Sequence, residues 1–353
     1  MNPDRIPVRE DLADIVPYGA PQLDVPVRLN TNETPYPPPA AFCEQLAKRL
    51  ADLDLHRYPD RRAWALRMAL GERFGLPPRR VWAAKGSNEI LQQVLQAYGG
   101  PGRRLLLFRP GYSMYPLLAR ATLTESVEAD LDADLRLDPV IARAAVEAHD
   151  PDLVFVAHPN NPTGIPVGLD AVRALHDAGR ALVLLDEAYV EFGGVSGVGL
   201  LDDLPRLVVC RTFSKAWRLA GARLGYLLAH EWVIDDLRKV RLPYHLDAMT
   251  QAAGLVAVEL ADEVTAHIAT IVVERERLHA ALSVIDGVRV YESAGNFLLL
   301  WTGVDDLFGR LLARGVLVRD FSRLPRLEGC LRVTVGTPGE NDAFLAALGE
   351  ALR

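Results

Sequence analysis

The chain has 353 residues, 50% of them hydrophobic and 24% charged, which is ordinary globular composition and excludes wholesale disorder. Lys and Arg total 39 against 46 Asp and Glu, a formal net charge of -7 with no basic block, so neither nucleic acid nor an anionic membrane is an expected partner. The length suits one large domain with a smaller one beside it.

Residues 1–10 are polar and carry no apolar signal region. No apolar run reaches the roughly 20 residues that span a bilayer, and a cytoplasmic protein is expected. The proline-dense stretch Pro35-Tyr36-Pro37-Pro38-Pro39 follows an extended arm and leads into a helix over about 42–50. Periodic segments at 90–98 and 169–178 read as helices. Short runs at 105–108, 153–157, 182–185, 207–210 and 224–229 are apolar throughout, as strands buried on both faces should be. Strand, helix, strand in alternation predicts a parallel or mostly parallel sheet covered by helices. Past residue 231 the pattern changes. A long helical stretch over 247–284, broken near Ala261-Asp262, precedes strands near 297–301, 316–319 and 331–335, with helices over 305–313 and 340–352. This second pattern predicts a smaller α+β unit. The expected division is an N-terminal arm over 1–48 that partly joins the small unit, a large domain over 49–245, and a small domain over 246–353. Cys43, Cys210 and Cys330 are odd in number and far apart, which fits neither a disulfide framework nor a metal site; they read as small buried hydrophobes.

Open α/β sheets place ligands at the carboxyl ends of their strands. Three consecutive runs there present chemistry: Asn160-Asn161-Pro162-Thr163-Gly164 after 153–157, Asp186-Glu187-Ala188-Tyr189 after 182–185, and Arg211-Thr212-Phe213-Ser214-Lys215 after 207–210. Taken alone, each has a bland reading as a turn, a cap or a solvated lysine. The lysine is the discriminating residue. The chain has only four lysines, Lys48, Lys85, Lys215 and Lys239, and uses arginine elsewhere. A lysine kept where arginine is the habit points to chemistry that needs an amine, and a Schiff base is such chemistry.

A Schiff-base lysine implies a carbonyl cofactor, of which pyridoxal phosphate is the common one. Its pyridine nitrogen needs a carboxylate, which Asp186 can supply. Its 3-oxygen needs donors, and Asn161 and Tyr189 offer them. Its phosphate needs N–H groups and positive charge. Gly86-Ser87-Asn88 opens a helix over 89–98, a ready anion site, and Thr212, Ser214 and Arg223 can add hydroxyls and a guanidinium. Tyr112 can stack on the ring, with plain core packing an equal reading at this point.

These residues, in this order, resemble the class I/II pyridoxal-phosphate-dependent aminotransferases of the aspartate aminotransferase fold. The matching pieces are Asn160 to Gly164, Asp186 to Tyr189, Ser214-Lys215 and Arg223-Leu224-Gly225. A narrower resemblance is to the histidinol-phosphate aminotransferase family. It rests on Leu29 to Pro38, Arg57-Tyr58-Pro59-Asp60, Arg211 to Ala216, and Cys330 to Thr337, with Arg319-Asp320 thirteen positions before Arg332. Gly111 and Thr34 depart from residues common in that family, Thr and Asn.

The resemblance implies fold type I: a mostly parallel seven-stranded sheet with helices on both faces, plus a smaller α+β domain. It implies Lys215 as Schiff-base lysine and proton shuttle. It implies Ser87, Asn88, Tyr112, Asn161, Asp186, Tyr189, Thr212, Ser214 and Arg223 as cofactor contacts. Tyr58 would reach the cofactor phosphate of a neighbouring subunit in a homodimer with shared active sites. Arg332 would bind the glutamate carboxylate and the substrate phosphate, and Arg319 and Tyr18 are further candidates for substrate contact. The implied reaction moves an amino group between L-glutamate and imidazole acetol phosphate, giving L-histidinol phosphate and 2-oxoglutarate in histidine biosynthesis, with no metal. An aromatic-amino-acid aminotransferase, which shares the same cofactor motifs, and a phosphothreonine decarboxylase, a lyase on a similar fold, stay open as alternatives.

Overall fold

The computed structural model describes residues 6–353. Residues 1–5, part of the polar start noted above, lie outside the described residues. The strands in chain order are β1 (Val27–Arg28), β2 (Val81–Ala84), β3 (Arg104–Arg109), β4 (Glu125–Asp130), β5 (Leu153–Ala157), β6 (Leu182–Asp186), β7 (Leu207–Thr212), β8 (Gly225–Leu228), β9 (Val288–Val290), β10 (Phe297–Thr302), β11 (Val316–Leu317), β12 (Arg319–Asp320) and β13 (Cys330–Thr334).

Seven of them form the large sheet, in the order β2-β8-β7-β6-β5-β3-β4. All run parallel except β8, which is antiparallel to both β2 and β7. Strands β5, β6 and β7 are buried at every position. Their alternate residues serve two separate cores: Val154, Val156, Val183, Leu185, Leu207 and Val209 face one, while Leu153, Phe155, Leu182, Leu184, Val208 and Cys210 face the other. Burial on both faces is why these strands read as unbroken apolar runs. One strand of this sheet departs from the pattern. β4 is the sheet edge and its Glu-Ser-Val-Glu-Ala-Asp alternates toward solvent. β2, the opposite edge, is short, its four apolar residues all buried.

The helices are α1 (Ala40–Ala51), α2 (Trp64–Phe74), α3 (Ser87–Tyr98), α4 (Met114–Ala121), α5 (Pro139–His149), α6 (Leu169–Asp177), α7 (Glu231–Val240), α8 (Ala248–Glu259), α9 (Ala261–Thr265), α10 (Ile268–Ser283), α11 (Leu307–Leu312) and α12 (Pro338–Ala351). Several starts follow directly from side-chain caps. Asp138 accepts from the Ile141 N–H, Asp247 from the Thr250 N–H, and Thr337 with Glu340 forms a reciprocal capping box behind Pro338. The long stretch expected over 247–284 is three helices rather than two: the backbone leaves helical geometry at Leu260, and Ala266-His267 form a turn between α9 and α10 while keeping right-handed dihedrals. No helix among the described residues is long and apolar enough to cross a membrane.

A second, antiparallel sheet has the order β12-β13-β10-β9. The strand expected over 316–319 is divided: β11 pairs with β1 of the arm in a separate parallel ribbon, whereas β12 pairs with β13. The arm therefore docks on the C-terminal part through main-chain bonds, which side-chain patterning does not encode. Cys210 and Cys330 are buried, but Cys43 on α1 is exposed and is not the buried hydrophobe expected of it.

Candidate active site

A cavity of about 520 Å³ opens at the carboxyl ends of β5, β6 and β7, beside the point where the chain switches from β3–β4 to β3–β5. Thirteen of the fourteen residues singled out above line it: Tyr18, Ser87, Asn88, Tyr112, Asn161, Asp186, Tyr189, Thr212, Ser214, Lys215, Arg223, Arg319 and Arg332. The fourteenth, Tyr58, is 80% exposed, lies outside this cavity and stacks on Tyr244 with ring centroids 4.2 Å apart.

Lys215 follows β7 and its side chain enters the cavity, where Nζ donates to the Thr31 carbonyl at 2.8 Å. Burial, with Arg332 and Arg223 adding positive charge, pushes its amine down to about 7 despite the opposing Glu33. An amine near pKa 7 is neutral often enough to act as nucleophile and base. Asp186 ends β6, wholly buried, and burial raises its carboxyl to about 6. Oδ2 accepts from the Tyr115 hydroxyl at 2.9 Å and Oδ1 from the Ala188 N–H at 3.2 Å. Among the described residues no basic side chain pairs with it. A buried carboxylate without a cation is a ready partner for a cationic ring nitrogen.

The anion end is built from α3. This helix begins at Ser87, two residues before the expected start, so Ser87 and Asn88 form its first turn. Its N-cap is Gly86, φ 84°, with no side-chain cap. The uncapped N–H groups and the positive end of the helix dipole are left for a ligand. Gly86 is favoured by that positive φ, which L side chains rarely adopt; a Cβ there would also stand 2.9 Å from Arg223 Nη2. Arg223 adopts φ 51° and donates to Ser214 Oγ at 3.1 Å, which sets guanidinium and hydroxyl beside the helix start.

Arg332 on β13 is buried between the rings of Phe297 and Phe321, 5.2 and 5.5 Å from their centroids. Nη1 donates to Asn161 Oδ1 at 2.6 Å and Nη2 to the Asn30 carbonyl at 2.9 Å, while Nε has no partner among the described residues. Burial lowers its pKa. A buried guanidinium with no carboxylate partner suits an incoming anion. The mouth is crossed by the arm. Tyr18 packs edge-on against Tyr112 at 6.4 Å, and Arg319 lies 5.8 Å from the Tyr18 ring. Asp14 and Arg9 fasten the arm to Arg120 and to the end of α4.

Sequence reasoning passed over Tyr115, which supplies the hydroxyl on Asp186. The signal was present: Tyr115 is three residues after Tyr112, the spacing that returns a side chain to the same side of a helix start. It also passed over Gly19, Ala20 and Gln22, which line the mouth.

The cavity meets the demands of pyridoxal phosphate: an amine, an unpaired carboxylate, an uncapped helix start with a guanidinium, and an aromatic wall. With the parallel seven-stranded sheet and the smaller antiparallel one, it defines the class. The chain has the type I pyridoxal-phosphate-dependent transferase fold, and residues 25–348 match the family model Aminotransferase class I and II.

Its relatives narrow this. It is 46% identical over 357 residues to the histidinol-phosphate aminotransferase of Corynebacterium diphtheriae, covering 98% of this chain and 96% of that one. It is 49% identical over 360 residues to that of Mycolicibacterium smegmatis, covering 98% and 93%. The chain belongs to the histidinol-phosphate aminotransferase family. The crystal structure of the Sinorhizobium meliloti histidinol-phosphate aminotransferase in complex with pyridoxal-5'-phosphate superposes with a TM-score of 0.84 at 25% identity, covering 93% of this chain and 91% of that one.

Proposed function

We propose that this chain is a pyridoxal-phosphate-dependent transaminase that moves an amino group reversibly between L-glutamate and imidazole acetol phosphate, forming L-histidinol phosphate and 2-oxoglutarate, in the cytoplasm. The observation that carries the reading is the pairing, in one cavity, of the Lys215 amine near pKa 7 with the unpaired buried carboxylate of Asp186.

Bound there, the cofactor supplies a carbonyl that condenses with amines and a ring that spreads negative charge. Lys215 would hold it at its carbonyl, and the neutral Nζ would carry the proton from the substrate Cα to the carbon that bore that carbonyl, with the reverse reaction returning it to Cα. Asp186 holds the ring nitrogen cationic. Asn161 and Tyr189 donate to the 3-oxygen, and Tyr112 covers the ring face. Ser87, Asn88, Thr212, Ser214 and Arg223 hold the phosphate. Arg332 receives the glutamate carboxylate in one half-reaction and the substrate phosphate in the other, because a planar fork pairs with either anion. Arg319 and Tyr18 close on the substrate from the mouth.

The active form is a homodimer in which Tyr58 reaches the partner's cofactor phosphate. The support is its exposure away from its own cavity and its stacking on Tyr244, with exposed Leu55 and Leu242 within three residues of that pair in sequence.

The test is a single-turnover absorbance experiment on the holoenzyme with L-histidinol phosphate, L-phenylalanine and O-phospho-L-threonine. Fast conversion of the bound cofactor by histidinol phosphate alone is expected. Equal or faster reaction with phenylalanine overturns the substrate assignment in favour of an aromatic aminotransferase, and CO₂ release from phosphothreonine overturns it in favour of a decarboxylase.

A further inference from the structure

Asn32 does not line the cavity, yet it controls a group that does. It lies in the arm segment that follows β1, fully buried, with φ 53°, a left-handed conformation that asparagine tolerates better than most residues. Its N–H donates to Thr334 Oγ1 at 2.9 Å and its carbonyl accepts from Asn296 Nδ2 at 3.0 Å. The Thr334 hydroxyl, having accepted that N–H, gives its own hydrogen to Asn32 Oδ1 at 3.1 Å. This exchange orients the amide. Its oxygen faces Thr334 and its nitrogen faces Tyr189, to whose Oη it donates at 3.1 Å.

Asn161 Nδ2 approaches the same Tyr189 oxygen at 3.4 Å. A phenol oxygen accepts about two hydrogen bonds and donates one. With two amide N–H groups on its lone pairs, the Tyr189 hydrogen has no acceptor among the described residues, and the open direction is the cavity.

We infer that Asn32 is a positioning residue that turns the Tyr189 hydroxyl so that its hydrogen faces the 3-oxygen of the bound cofactor. This rests on the reading of the cavity as a pyridoxal phosphate site. β13 then reaches the site twice, directly through Arg332 and indirectly through Thr334, Asn32 and Tyr189. The small sheet that grips the substrate anion thereby also sets the donor on the cofactor.

Three variants of the full chain test this. Asn32→Asp keeps shape but replaces the donor with an acceptor, which draws the phenol hydrogen away from the cavity. Asn32→Gly keeps the left-handed backbone and removes the amide. Thr334→Val removes the hydroxyl that orients the amide. The readout is the pH midpoint at which the bound cofactor's visible absorption changes, with Tyr189→Phe as reference and apo-protein melting followed in parallel.

A donor on the 3-oxygen favours its anionic form, so Tyr189→Phe is expected to raise the midpoint by about one pH unit. Asn32→Asp should raise it as far, and Asn32→Gly and Thr334→Val by less, whatever their effect on melting. A wild-type midpoint in Asn32→Asp and Thr334→Val, alongside a shifted Tyr189→Phe, overturns the inference and leaves the cofactor site standing. Absence of any visible band when the wild-type chain is given pyridoxal phosphate overturns both.

Discussion

Tyr115 donates its hydroxyl hydrogen to Asp186 Oδ2 at 2.9 Å, and both side chains are buried. Tyr115 also packs edge-on against Tyr112, 5.3 Å away, so one residue braces both the carboxylate and the aromatic wall. Loss of its hydroxyl leaves Asp186 with the Ala188 N–H alone. Tyr115→Phe is expected to weaken binding of pyridoxal phosphate about tenfold, the worth of one hydrogen bond to a charged group, while apo-protein melting stays nearly unchanged. Equilibrium dialysis measures the first and a thermal scan the second; unchanged affinity would show that Asp186 is held by its surroundings alone.

The buried Lys215 amine has a lowered pKa, about 7 in place of 10.5. Attachment of pyridoxal phosphate to the apo-protein requires the neutral amine, so its rate should climb with pH to a plateau with a midpoint near 7. Stopped-flow mixing from pH 5.5 to 10 reads this directly, and a midpoint near 10 contradicts it. Stability carries the same sign. The folded chain holds this proton less tightly than the unfolded chain, so the cost of the buried charge is full below about pH 7 and fades as pH rises toward 10.5. Lys215→Met should therefore stabilise the apo-protein more at pH 7 than at pH 10.

Arg332 and Arg319 differ in burial and should differ in consequence. Arg332→Gln removes the buried guanidinium that pairs with Asn161 and Asn30. It is expected to raise KM for both glutamate and histidinol phosphate by about 100-fold or more, as for truncation of a buried charge pair. The half-buried Arg319, which donates to the Gly19 carbonyl at 3.2 Å, should matter about tenfold or less. Steady-state kinetics with each amino donor separates them. Equal losses would place Arg319 in the anion clamp beside Arg332.

Gly225 opens β8 where that strand passes the start of α3. A Cβ there would stand 2.6 Å from Gly86 C and Ser87 N, a backbone collision that must move the helix start. Gly225→Ala should weaken cofactor binding at least tenfold and lower the melting temperature. Gly221→Ala, with nothing within 4 Å of the added methyl, should do neither. Fluorescence titration with pyridoxal phosphate checks both.

The chemistry at the strand ends was legible in sequence for a physical reason. A strand buried on both faces must be apolar along its length, so β5, β6 and β7 announce themselves, and whatever follows lies at the sheet's carboxyl edge. Asn161, Asp186 and Lys215 could thus be grouped before any coordinate was known. β4 could not be found this way, because an edge strand exposes alternate side chains and tolerates the polar sequence it has.

Tertiary structure alone decided which groups meet. Tyr115 and Asp186 are 71 residues apart, and Thr334 and Asn32 are 302 apart; no periodicity relates them. The arm joins the C-terminal part by pairing β1 with β11, through backbone groups that every residue carries alike. Tyr58 and Tyr112 are both tyrosines in proline-flanked motifs, yet one faces outward and the other walls the cavity. Local sequence determines what a segment can be and which side chains it can offer. Long-range packing determines the direction they face, and that direction sets the proton affinities of Lys215 and Asp186.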